Sequence, residues 1–123
     1  MSPRPRVLCA EPTADICSLL HALLEANGFN PDSASTISEA MEKAEAGDYC
    51  LYIVDDGYTD GTNVELIRRL RALTPHVPVL VYSSLSFEAS RRDAARAGAV
   101  SYIVKPGEME RLLDAVVRLC GTV

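Results

Sequence analysis

The sequence predicts an open α/β fold, one parallel β-sheet with helices on both faces. Short apolar runs of strand length alternate with longer stretches of helical period through all 123 residues. The runs are almost continuously apolar, as strands covered on both sides must be. Four of them also stop at a chemically useful residue. Val7–Ala10 stops at Glu11, Leu51–Val54 at Asp55-Asp56, Val77–Tyr82 at Ser83 and Tyr102–Val104 at Lys105-Pro106. Parallel strands end on one edge of their sheet, and ligands of open α/β folds bind along that edge. Carboxylates, a hydroxyl and an ammonium gathered there suit a phosphoryl group.

Each element has its own signal. Arg6–Ala10 reads as the first strand. Asp15–Ala26 reads as a helix, because Ile16, Leu19, Leu20, Leu23 and Leu24 form one stripe and Asn27-Gly28 supplies a stop. A weak second strand is expected near Pro31–Ser35, where Pro and Asp oppose it. Thr36 followed by Glu39 resembles a capping box, so a helix is expected to run to Ala46, with Gly47-Asp48 turning the chain. Tyr49–Val54 is the third strand, and Asp56–Asn63 a polar, glycine-bearing loop. Val64–Leu73 follows as a helix with Val64, Ile67, Leu70 and Leu73 inward. Pro75 and Pro78 bracket the approach to Val79–Tyr82. Ser86–Ala97 is a thin helix whose inward candidates are mostly alanines, ended by Gly98. Val100–Val104 is the last strand. Glu108–Cys120 closes the chain as a helix with Leu112, Leu113, Val116, Val117 and Cys120 on one face. Right-handed crossovers would put these helices on both sides of the sheet.

Composition narrows the function. The net charge of -5 argues against general nucleic-acid binding. Up to Asp60 there are eleven acids and three bases, and beyond it six acids and nine bases. The first half therefore carries an acidic site and the second half basic helix surfaces. Arg68-Arg69-Arg71 and Arg91-Arg92-Arg96 read as solvated helix faces, with an acidic protein partner as the lesser alternative. His21 and His76 read as ordinary surface groups. No apolar stretch is long enough to span a membrane, and residues 1–6 lack the apolar core of a signal peptide, reading instead as an exposed tail. The four cysteines, Cys9, Cys17, Cys50 and Cys120, lack the close pairs of metal or redox motifs and read as free thiols in a reducing cytoplasm.

The strand ends carry a resemblance. "LYIVDD" (Leu51–Asp56), "VPVLVYSS" (Val77–Ser84) and "AGAVSYIVKP" (Ala97–Pro106) occur in the order and register of the third, fourth and fifth strands of bacterial response-regulator receiver domains. The chain resembles that phosphate-accepting module of two-component signalling from Val7 to about Cys120, with the receiver unit taken as residues 7–121. The resemblance implies a flavodoxin-like fold of strand order 2-1-3-4-5 with five helices. It makes Asp55 the phosphoacceptor, Ser83 the hydroxyl position, Lys105 the lysine, Pro106 the bearer of a cis peptide, and Tyr102 the aromatic that switches with Ser83, the equal alternative for Tyr102 being a half-buried edge aromatic that does not switch. It implies Mg2+ held by Glu11, Asp55 and the Gly57 carbonyl, the alternative for Glu11 being a structural ion pair with Lys105. It further implies phosphoryl transfer from a histidine kinase or phosphotransfer protein, and signalling rather than enzymatic turnover. Output would pass through the surface of the fourth helix, last strand and last helix. No effector domain is expected after the last helix, so that output would be protein contact, by a monomer or weak homodimer, the alternative being a fragment excised from a larger protein.

One residue departs from the pattern. The family carries two adjacent acids after the first strand, and here the pair is Glu11-Pro12. Glu for the first Asp is a known variation, whereas Pro12 removes a carboxylate expected to touch the metal. Weak magnesium binding is therefore expected. Asp56 should point away from Asp55 in an extended chain. Tyr58–Asn63 replaces the usual Met-Pro…Asp-Gly loop, and Gly107 stands where Phe is common. Two readings compete with a phosphorylated receiver. One is a pseudo-receiver, an interaction module that works without phosphorylation. The other is a haloacid-dehalogenase-type phosphatase, suggested by "IVDDGYTDGT" and ranked last because the motif lies on the third strand rather than the first.

Overall fold

The computed structural model describes residues 3–105 and 109–120. Strand and helix alternate from end to end. The order is β1 (Arg6–Ala10), α1 (Ala14–Ala26), β2 (Asn30–Ala34), α2 (Ile37–Ala46), β3 (Leu51–Val54), α3 (Asn63–Leu73), β4 (Val79–Ser83), α4 (Glu88–Ala97), β5 (Ser101–Val104) and α5 (Met109–Cys120). Every strand pairing is parallel, and the sheet runs β2-β1-β3-β4-β5. Pro106 and Gly107 lie outside the described residues, and so does the expected cis peptide.

Alternating side chains give the sheet two apolar faces. Leu8, Ala10, Tyr52, Val54, Val79 and Val81 enter one core, closed by α2, α3 and α4. Val7, Cys9, Leu51, Ile53, Leu80 and Tyr82 enter the other, closed by α1 and α5. Pro31 is tolerated in β2 because that strand is an edge. Thr36 caps α2 by accepting the Glu39 N–H at 3.1 Å, and the Glu39 carboxylate accepts from the Ser35 N–H at 2.6 Å. Gly98 ends α4 with φ +121, a conformation that needs glycine, and an added Cβ would lie 2.8 Å from Arg71 Cγ.

The expected helix faces need adjustment. Leu19, Leu73 and Val117 sit at the margins of their stripes and are 53%, 38% and 39% exposed. Leu66, which the reading of α3 left out, is buried. The fourth helix is as thin as expected, burying Ala94 and Ala97. Arg71 is not simply solvated, since its guanidinium donates to Pro75 O at 2.6 Å and Val77 O at 3.3 Å. His21 is half-buried on α1, with its Nε2 shielded from water and without a hydrogen-bond partner.

The cysteine expectation fails in half. Cys9 and Cys17 are free, but Cys50 and Cys120 form a disulfide with Cα atoms 5.3 Å apart. They are 70 residues apart in sequence, so no local motif announces the pair. It exists because α5 packs on the face of the sheet that also holds the start of β3. Cys50 immediately precedes β3, and Cys120 is the last residue of α5.

Candidate site at the ends of the strands

The ends of β1, β3, β4 and β5 bring Glu11, Asp55, Ser83 and Lys105 together. Lys105 follows β5 and its Nζ lies 2.6 Å from Asp55 Oδ2 and 2.8 Å from Glu11 Oε1. All three side chains are at least nine-tenths buried. The Lys105 N–H donates to Ser83 O at 2.8 Å, which fixes the lysine beside β4. Both Glu11 oxygens are engaged, because Oε2 accepts the Thr13 N–H at 3.0 Å. The alternative reading of Glu11 as an ion-pair partner of Lys105 is thus what the geometry displays.

Asp55 is held unequally. Its Oδ2 meets Lys105, whereas its Oδ1 is buried with no hydrogen-bond partner. A buried carboxylate oxygen without a donor is costly, so that atom is open to a cation or to an electrophile. Burial raises the Asp55 carboxyl above the usual carboxylate range and Glu11 adds to the rise, while Asp56 and Lys105 offset part of it. Burial opposes the charge on Lys105, but the two carboxylates outweigh it and raise the ammonium.

Asp56 does not point away. Ser83 Oγ donates to Asp56 Oδ1 at 3.0 Å. The alternation that predicted otherwise ends with β3 at Val54, and the chain bends at Asp56 before Gly57 takes φ +76. Burial, then the hydrogen-bonding contact with the Asp55 carboxyl, raises the Asp56 carboxyl, and the Ser83 hydroxyl partly compensates. Ser83 Oγ also accepts the Leu85 N–H at 3.1 Å, while Tyr102 Oη donates to Leu85 O at 2.8 Å. The two side chains expected to switch together therefore hold the same loop residue. Arg91 lies over the Tyr102 ring at 5.1 Å.

Two roles were not read from the sequence. Tyr58 is 7% exposed, and its hydroxyl accepts the Asp55 N–H at 2.9 Å and donates to Ala10 O at 2.6 Å. It ties the ends of β1 and β3 together beneath the acceptor. Asp60 accepts the N–H groups of Ile37 and Ser38 at 2.9 and 3.0 Å, capping α2. Those two N–H groups hold its carboxyl below the ordinary value. The last acid of the phosphatase-like stretch is therefore a helix cap. Among the described residues, no three His, Cys, Asp or Glu side chains form a group able to hold a metal. No helix among them is long and apolar enough to cross a membrane.

Comparison with known proteins gives the same picture. The family model "Response regulator receiver domain" matches residues 7–117. The KDP operon transcriptional regulatory protein KdpE of Escherichia coli (strain K12) is 35% identical over 115 residues, covering 91% of this chain and 51% of that protein. The transcriptional regulatory protein ZraR of Salmonella typhimurium is 24% identical over 110 residues, covering 89% of this chain and 25% of that protein. The chain thus spans between a quarter and a half of these relatives. Among solved structures, the response regulator TrrA of Thermotoga maritima in complex with Mg(2+)-BeF superimposes with a TM-score of 0.85. It is 25% identical, with 94% of this chain and 98% of that one covered. A CheY-like receiver domain of Methanospirillum hungatei gives 0.90 at 23% identity, with 96% and 94% covered.

Proposed function

The chain belongs to the response regulator receiver domain family, and from that membership we propose that Asp55 is its phosphoacceptor. The observation that carries this reading is the buried, unpartnered Asp55 Oδ1 beside an Oδ2 held by Lys105. In the transfer, a carboxylate oxygen of Asp55 attacks phosphorus. The bond from phosphorus to the donor's nitrogen or oxygen breaks, and an acyl phosphate forms. The donor keeps the electron pair, a histidine nitrogen taking a proton from solvent and an acyl phosphate donor leaving as its carboxylate. Two anions meet in this step, so catalysis is positioning and charge neutralisation. Lys105 supplies a fixed positive charge, and Ser83, on leaving Asp56, donates its hydroxyl to a phosphoryl oxygen. Tyr102 follows through the shared Leu85.

Magnesium fits the orphaned Asp55 oxygen, and when bound it supplies the remaining neutralisation. The residues that would hold it are Asp55, the Gly57 carbonyl and Glu11, all oxygen donors of the kind this hard cation takes. Binding is weak in this reading, because Pro12 brings no carboxylate and both Glu11 oxygens already have partners. A histidine kinase or phosphotransfer protein is the donor, in the cytoplasm. The faces of α4, β5 and α5 carry the output to a protein partner. A phosphorylation-independent module is the second reading, favoured by the Glu11–Lys105–Asp55 closure, which already satisfies the lysine.

Incubation with acetyl phosphate and magnesium, read by intact mass, separates the two. The expected result is a gain of one phosphoryl group that is absent from Asp55→Ala and is faster in Pro12→Asp. An unmodified wild-type protein at high magnesium would leave the phosphorylation-independent reading.

A further inference from the structure

At the other end of the sheet, where β1 and β3 begin, a cavity of about 440 Å³ opens beside the disulfide. Arg4, Arg6, Asp48, Tyr49 and Cys50 contribute to its wall. The Arg6 guanidinium lies 4.4 Å from the Tyr49 ring centroid and donates to Tyr49 Oη at 3.1 Å. Arg4 is steadied by donation to Glu25 O at 3.1 Å. Arg6 is already ion-paired with Asp32 at 3.6 Å, so Arg4, with Asp48 as the lining's carboxylate, is the guanidinium placed to meet an incoming anion. Cys50 is half-buried and lines the cavity with its backbone pinned, since its N–H donates to Arg6 O at 2.9 Å. The Cα separation from Cys120, 5.3 Å, falls within the range of about 4.4–6.8 Å that a disulfide bridges without backbone movement.

We propose that Cys50–Cys120 is a reversible thiol–disulfide site, and that the Arg4–Arg6 cavity admits a small acidic thiol to Cys50 Sγ. This stands apart from the phosphoryl reading. A thiolate of that class attacks Cys50 Sγ and the Cys50–Cys120 bond breaks. Cys120 leaves as a thiolate and takes a proton from water. The mixed disulfide on Cys50 is then attacked at the small molecule's sulfur by a second thiolate. That releases the oxidised small disulfide and the Cys50 thiolate, so two small thiols are oxidised for one protein disulfide reduced. The reverse sequence, driven by the small disulfide, closes the bond. A carboxylate of the incoming thiol meets Arg4, with Arg6 behind it held by Asp32 and Tyr49, which is why an acidic thiol suits the cavity. Cys9 does not compete, because it is buried and burial pushes its thiol well up, whereas Cys17 is a free, half-buried thiol on α1 whose adducts are mapped separately. Opening the bond releases the last residue of α5 from the start of β3. The redox state would thereby reach one of the helices that frame the proposed output surface.

The test uses the full chain. After equilibration with oxidised glutathione, denaturation and alkylation, Cys50 and Cys120 are expected unalkylated and linked to each other in the peptide map. Alkylated Cys50 and Cys120 would overturn the site. Opening by glutathione should be about tenfold faster than by cationic cysteamine at equal thiolate concentration and low salt, and Arg4→Glu should erase that preference. Equal rates for the two thiols, or an unchanged preference in Arg4→Glu, would overturn the role of the cavity. Cys120→Ser should carry a glutathionyl group on Cys50, whereas a Cys50 left unlabelled while Cys17 is labelled would overturn the assignment. Mapping the mixed disulfide trapped in wild type by acid quench gives the same readout should that variant fold poorly.

Discussion

Two networks of acids and cations serve this fold, and they shift their aspartates in opposite directions. At the strand ends, Asp55 and Glu11 share Lys105 in a site whose side chains are at most 9% exposed. On the β2 edge, Asp32 meets Lys43 at 3.2 Å and Arg6 at 3.6 Å, and these side chains are 35–38% exposed. Asp32 also accepts from Tyr49 Oη at 2.8 Å and from the Ser33 N–H at 2.9 Å, and Lys43 donates to Ser33 O. Burial works against the charge of Asp32, but the Tyr49 hydroxyl, the Ser33 N–H and Lys43 outweigh it and lower the carboxyl. Burial wins at Asp55 and raises it. The difference lies in the donors per carboxylate. Asp32 has a surplus, which ties down a sheet edge. Asp55 has a deficit, one oxygen lacking any donor, which leaves it something to react with.

The hardest way to break this contrast is to remove the lysines. Lys105→Met leaves two buried carboxylates facing each other and is expected to lose about 3–5 kcal/mol at neutral pH. Lys43→Met, in a water-washed network, should lose less than about 1 kcal/mol. Urea denaturation of the two variants measures both, and equal losses would erase the distinction.

The tyrosines test the same contrast with neutral groups. Tyr58→Phe strands the Asp55 N–H and Ala10 O in the interior and should cost about 1–3 kcal/mol. Tyr49→Phe should cost about 1 kcal/mol or less, because water reaches Asp32 and Arg6.

The smallest effects carry the sharpest sign. Asp55 has a raised folded pKa, so ionising it opposes folding. That penalty is absent below the ordinary value of 3.8, grows as pH climbs through the folded pKa, and is complete above it. In metal-free buffer at pH 7, Asp55→Asn should raise Tm by about 3–6 °C for each 1 kcal/mol of penalty removed, and the gain should vanish in acid. Asp32 is lowered, so its stabilisation is present above 3.8 and lost as pH falls through the folded pKa. Asp32→Asn should therefore lower Tm slightly at pH 7 and approach wild type in acid. Thermal scans of both variants against pH decide the matter. Shifts of the same sign at neutral pH would show that donor count does not distinguish the two sites.

What the sequence revealed depended on how local each signal was. The runs Leu51–Val54 and Val79–Tyr82 announced buried parallel strands, because such strands need apolar residues on both faces. Asp55, Ser83 and Lys105 were legible because each directly follows or ends a strand, and parallel strands share an edge. Asp56 was misjudged because the two-residue alternation stops where the strand stops, and the bend before Gly57 turns the side chain back. Tyr58 and Asp60 looked like loop residues because their partners, Ala10 and Ile37, lie on other elements. Cys50 and Cys120 passed as separate thiols for the same reason.

By itself the sequence determined the alternation of strands and helices, the apolar faces and the residues delivered to the strand ends, all of which follow from periodicity and chain order. Only the tertiary structure decided which acids share Lys105, which Asp55 oxygen stays without a donor, where Asp60 binds and which cysteines meet. Those outcomes depend on distances between segments far apart in the chain, and no local pattern encodes them.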